Sequence, residues 1–100
     1  MVRHIILWKI KENKTKEEKE LIKQNVKHGL EGLYGKIEGL EKIQVQTESL
    51  SSSNADLMLD STFTDEASLN AYSVNPLHVE VANNSVRPYM EIRMCLDFEE

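Results

Sequence analysis

Few side chains in this sequence could move a proton or attack a carbon, and the positions that matter lie mostly near residues 70 to 80. Tyr72 and His78 flank the step Asn75-Pro76, and His4 sits in the first apolar run. Proline suits the first turn of a helix, so His78, two positions later, belongs to that turn. There the positive end of the helix dipole disfavours an imidazolium and leaves a neutral ring able to accept a proton. Tyr72 could then orient a substrate or donate a hydrogen bond to a developing oxyanion. This nominates His78 as a base and Tyr72 as its phenolic partner. The same spacing also suits two amphipathic side chains whose bodies pack and whose polar tips bond to backbone.

The remaining reactive residues read more plainly. His4 shares a strand face with Ile6 and Trp8, which makes it a hydrogen-bonded packing residue or the polar point of an apolar pocket. An indole lining such a pocket favours flat, apolar ligands. The ligand-binding candidates are therefore His4, Ile6 and Trp8, with Leu59 on a later strand. His28 is expected to face solvent. Cys95 has no evident helix N-terminus or base to lower its pKa, so no nucleophilic role follows. Asp56, Asp60 and Asp65 invite a metal reading, but no dense oxygen-ligand loop accompanies them, and no metal or other cofactor is expected. There is no glycine-rich phosphate loop, GxSxG or HExxH.

The elements that must position these residues fit in one domain of 100 residues, spanning 1–100. At 40% hydrophobic and 29% charged, the chain is too apolar for a disordered tail and too interrupted for a membrane span. A lone cysteine cannot form an intrachain disulfide, and Met1-Val2-Arg3-His4 enters a strand pattern without the features of a signal peptide, so a cytoplasmic location is expected. Lys9, Lys11, Lys14, Lys16, Lys19 and Lys23 crowd one stretch, but Glu12, Glu17, Glu18 and Glu20 are threaded through it. With a net charge of -5, this is a solvated helix face with Lys16–Glu20 and Glu20–Lys23 pairs, not a nucleic-acid surface.

From Val2 to Ile10, alternation places Val2, His4, Ile6, Trp8 and Ile10 on one strand face. Ile5 and Leu7 lie on the other. Two apolar faces need two covers, helices on one side and a second subunit on the other. Thr15 and Glu18 form a capping box opening a helix whose stripe is Leu21, Ile22, Val26, Gly29, Leu30 and Leu33, with Gly35 as its stop. Strands follow over Leu40–Glu48 and Asp56–Phe63, the latter placing Leu57, Leu59, Ser61 and Phe63 on one side. Thr64 or Asp65 caps a helix to about Val74. Pro76 breaks it and begins another to about Asn84, which Arg87-Pro88 ends. Met90, Ile92, Met94, Leu96 and Phe98 alternate in a last strand. The order is the split βαβ pattern of an α+β, ferredoxin-like fold, a four-stranded antiparallel sheet with helices on one face.

On Val2-Arg3-His4-Ile5-Ile6-Leu7-Trp8-Lys9, Ser61-Thr62-Phe63-Thr64-Asp65, Ala71-Tyr72 through Asn75-Pro76-Leu77-His78 and Asp97-Phe98-Glu99, the chain resembles the stress-responsive dimeric α/β-barrel (Dabb) family. The resemblance implies a homodimer in which two sheets pack face to face with helices outside. A plant member of that family, a polyketide cyclase, uses a tyrosine and a histidine at positions that look like Tyr72 and His78, with a pocket histidine resembling His4. Here Asn75, which cannot titrate, stands where a further histidine is common, so a relay through both positions is not implied. The wider barrel relatives include monooxygenases and haem-degrading enzymes, whose catalytic sets have no match here.

The sequence thus reads as a homodimeric barrel protein that binds a small apolar or aromatic molecule between helices and sheet. A cofactor-independent cyclase or lyase-like enzyme using His78 as base, and a purely structural stress-associated protein, are the alternatives. Neither nucleic acid nor membrane is an expected partner.

Overall fold

The period of two in the first segment becomes the central strand of a sheet, and everything else is arranged around its two faces. A computed structural model describes residues 1–100. Strand β1 (Val2–Ile10) is followed by helix α1 (Lys16–Glu31), β2 (Leu40–Gln46), β3 (Leu57–Phe63), α2 (Glu66–Val74), α3 (Pro76–Val81) and β4 (Met90–Glu99). A π-helical turn over Ala82–Val86 and a 3-10 turn over Arg87–Tyr89 link α3 to β4. The sheet order is β2-β3-β1-β4, all antiparallel. This is the ferredoxin-like arrangement the element order implies.

Val2, His4, Ile6, Trp8 and Ile10 of β1 and Leu57, Leu59, Ser61 and Phe63 of β3 are buried. Ile22, Val26 and Leu30 of α1, with Leu69 and Tyr72 of α2, are buried with them in one core. Thr15 accepts from the Glu18 backbone amide at 3.1 Å, and Glu18 Oε1 accepts from the Thr15 amide at 2.8 Å. Asp65 rather than Thr64 caps α2, accepting from the Ser68 amide at 2.8 Å. Asn75 ends α2 and caps α3, its side chain accepting from Leu77 N at 2.9 Å.

Several expectations are corrected. Leu21 is 63% exposed. The buried row Ile22–Val26–Leu30 repeats every fourth residue, and Leu21 lies about 100° around the axis from its start. Helix α1 stops at Glu31 with right-handed Gly32 as its cap, and Gly35, at φ 81°, serves the connection beyond. The α3 helix ends at Val81 rather than Asn84 and widens into the π turn. Glu20 pairs with Lys23 at 3.7 Å, but Lys16 has no ion pair, and Glu12 draws Lys9 and Lys19 instead. A bulge between Lys9 and Ile10 puts Met90 opposite Ile10, where it packs against the core instead of sharing a face with Met94.

Opposite the helices, β1 and β4 present a continuous apolar surface. Ile5 pairs with Leu96 and Leu7 with Met94, and Phe98 follows beside Arg3. Met94 and Leu96 are about two-thirds exposed, at 65% and 64%. The β2–β3 half of this face is polar: Lys42 and Arg3 both pair with Asp60.

Candidate functional site

The helix-facing side of β1 and β3 does not meet α2, α3 and the π turn along its whole length. A cavity of about 310 Å³ remains between them. His4, Ile6, Trp8, Leu59, Tyr72 and His78 all line it. The structure thus brings together every site residue nominated from the sequence, from two strands and two helices. His28 is exposed on α1, away from this cavity.

Tyr72 is held by aromatic packing. Its ring centroid is 4.1 Å from that of His78, with the planes inclined at 32°. Phe63 lies at 4.9 Å, and His4 meets Tyr72 edge to face at 6.2 Å. The Asn75-Pro76 step makes the first pair possible: Asn75 is extended at φ -64°, ψ 129°, so the chain turns between α2 and α3 and the two rings stack across the corner. Tyr72 Oη and His78 Nδ1 are both buried without a hydrogen-bond partner in the protein.

Burial drives both groups toward their neutral forms. It raises the Tyr72 phenol well above its ordinary range, so the hydroxyl is a standing donor. It also lowers the His78 imidazole, with Arg87, His4 and Arg93 adding repulsion, against an opposing backbone interaction with Ser73. The sequence assigns the neutral ring to the helix dipole; in the structure burial of the imidazole itself favours that form. Near neutral pH the pair is a protonated phenol beside an uncharged imidazole, one donor and one acceptor on a largely apolar wall.

His4 has a partner that sequence spacing did not reveal. The antiparallel register sets it opposite Asp97, and its Nδ1 hydrogen-bonds Asp97 Oδ1. A carboxylate only accepts, so Nδ1 is the nitrogen that carries the proton in this contact. Cys95 joins this group, its Sγ 3.8 Å from His4 Nδ1 and 3.4 Å from Asp97 Oδ1. A base therefore does lie near Cys95, contrary to the sequence reading. Even so, burial and Asp97 raise the thiol pKa, and the sulfur stays protonated. His4, Cys95 and Asp97 are also the residues that could hold a metal ion, with ligand atoms all within 4.8 Å. A metal there would have to replace the His4–Asp97 hydrogen bond.

The sequence reading also missed the polar rim. Arg87, Glu91 and Arg93 line the cavity; the alternation of β4 was the available signal for Glu91 and Arg93, and Arg87, which precedes the strand, had none. Ala82 and Val86, the two ends of the π turn, line it too. A π turn widens the backbone and recurs at functional sites.

The ferredoxin-like fold that carries this cavity has clear counterparts. The chain belongs to the stress responsive A/B barrel domain family, whose model matches residues 2–100. It is similar to a dimeric protein of ferredoxin-like fold from Bacteroides fragilis, at 28% identity and a TM-score of 0.93, covering 99% of this chain and 95% of that one. A Dabb family protein from Mesorhizobium loti is similar at 17% identity and TM-score 0.75, over 99% and 95% of the two chains. Hydroxynitrile lyase from Passiflora edulis shares the fold at 18% identity and TM-score 0.72, over 97% and 90%. No curated protein matches the sequence. No helix is long and apolar enough to cross a membrane.

Proposed function

We propose that this protein binds a small apolar or aromatic carbonyl compound in the cavity and transfers a proton on it without a cofactor, His78 acting as base and Tyr72 orienting the carbonyl. One observation carries the reading. Two side chains of the cavity wall, His78 and Tyr72, each hold a buried polar atom, Nδ1 and Oη, with no hydrogen-bond partner in the protein, where buried polar groups are otherwise paired. In the reaction His78 takes a proton from the carbon next to the carbonyl, and the released electron pair moves onto the carbonyl oxygen. Tyr72 Oη donates a hydrogen bond to that oxygen as its charge develops. His4, Ile6, Trp8 and Leu59 supply the apolar walls and one further polar point. The Passiflora edulis relative is a lyase, which supports chemistry of this general kind on the fold.

The working unit in this reading is a homodimer. The exposed Leu7, Met94, Leu96 and Phe98 form the apolar surface that a second sheet would cover, and the Bacteroides fragilis relative is dimeric. We place the protein in the reducing cytoplasm, where the single Cys95 needs no partner.

The test is exchange of the methyl protons of acetophenone in deuterated water, followed by NMR. The protein accelerates the exchange, and His78→Ala abolishes the acceleration while leaving the dimer intact. Equal rates with and without the His78 side chain would remove the histidine from the mechanism.

A further inference from the structure

Two cations stand at the rim of the cavity without anions to match them. Arg87 and Arg93 both line it and both are exposed, so they belong to its mouth. Neither joins any ion pair in the protein. Arg87 gives one nitrogen to Asn83 Oδ1 at 2.7 Å, which steadies the guanidinium and leaves its other N–H groups free. Both arginines line the same cavity as His78 and disfavour its protonated form. Glu91 is the one carboxylate in the lining, which leaves the rim with a surplus of one positive charge in a chain of net charge -5.

The arrangement is polarised. Buried Ile6, Trp8 and Leu59 form an apolar floor, Tyr72 and His78 line the cavity with them, and the exposed guanidinium groups stand at the opening. An entirely apolar ligand would leave two guanidinium groups unused, whereas a carboxylate fits their planar forks and makes charge-assisted hydrogen bonds. We propose that the ligand is an amphipathic monoanion, an aromatic or apolar body carrying one carboxylate, which Arg87 and Arg93 hold at the mouth while the body lies on the floor. Glu91 beside them repels a second negative charge and limits the ligand to one. This inference rests on the ligand-binding reading above and adds the charge of the ligand to it.

The experiment compares 2-naphthoate with its neutral isostere 2-naphthamide by calorimetry on the full-length chain. The carboxylate binds about tenfold more tightly than the amide. Raising the salt from about 50 mM to about 500 mM shortens the screening length and weakens only the carboxylate. Arg93→Gln and Arg87→Gln, at exposed positions that do not hold the fold, each bring the naphthoate affinity down toward that of the amide and leave the amide unchanged. Equal binding of the two probes to the parent protein overturns the anion proposal and keeps the pocket reading. Tight naphthoate binding that survives both substitutions also overturns it. If neither probe binds, the ligand-binding reading fails and the anion proposal falls with it.

Discussion

The hydroxyl of Tyr72 gives a prediction whose sign separates a functional group from a structural one. Tyr72 is 1% exposed, its ring is fixed by Phe63 and His78, and its Oη has no protein partner. In Tyr72→Phe every ring contact is kept. A hydroxyl bonded to protein contributes about 0.5–1.5 kcal/mol net, and its removal costs that amount. One left unpaired costs about 1–3 kcal/mol in desolvation, which its removal relieves. Water reaching the cavity offsets part of that penalty, so Tyr72→Phe is expected to stabilise the protein by about 1 kcal/mol. In a chain of this size that raises Tm by roughly 4–8 °C. The measurement is urea and thermal unfolding at one fixed protein concentration, because dimer formation makes Tm depend on concentration. Proton exchange on the carbonyl probe should fall by about 10²-fold in the same variant, the scale of losing one oxyanion donor. A variant that is both less stable by about 1 kcal/mol and unchanged in exchange would refute the reasoning, since Tyr72 would then be bonded within the protein and serve only packing.

Three further outcomes are expected. Leu96→Asp puts a charge in the middle of the exposed apolar face, and since burying one such side chain is worth about 1.5–3 kcal/mol, sedimentation should show a dimer weakened by at least about tenfold; a parent chain that sediments as a monomer at micromolar concentration removes the interface altogether. Because burial lowers the His78 pKa in the folded state, the unfolded chain takes up its proton first as pH falls from about 6.5. Stability relative to His78→Gln should therefore be full above the unfolded pKa and decline as pH drops through the folded value; parallel pH profiles of the two proteins would contradict this. Gly39 has φ 83°, and a methyl group there would lie 2.2 Å from Ser68 Oγ, so Gly39→Ala should lose more than about 1 kcal/mol in urea unfolding; a loss near zero would mean the turn can re-form without the left-handed residue.

Much of the scaffold was legible because its signals are local. The faces of β1 and β3 follow from a period of two, and the starts of α1 and α2 follow from side chains that accept from amides within the next turn. The break between Tyr72 and His78 follows from the missing amide of Pro76. Local signals failed where a position has a choice that only packing decides. Leu21 belongs to the apolar set of α1 by composition, but the sheet selects the row through Ile22, Val26 and Leu30. Nothing in Ala82–Val86 announces a π turn, whose two ends line the cavity.

The candidate site divides in the same way. Tyr72 and His78 could be paired from sequence because only five residues, one of them Pro76, separate them, and His4, Ile6 and Trp8 because one strand face holds them. Asp97 and Cys95 come from the far end of the chain, and only the β1–β4 register sets them beside His4. Arg87 and Arg93 carry no sequence signal of a site, and only the return of the chain places them at the mouth. Short-range sterics and hydrogen bonding decide which way each side chain faces along its own element. Which faces then meet, how much space stays between them and which charges surround that space depend on contacts across the whole chain, and for these only the assembled fold supplies the answer.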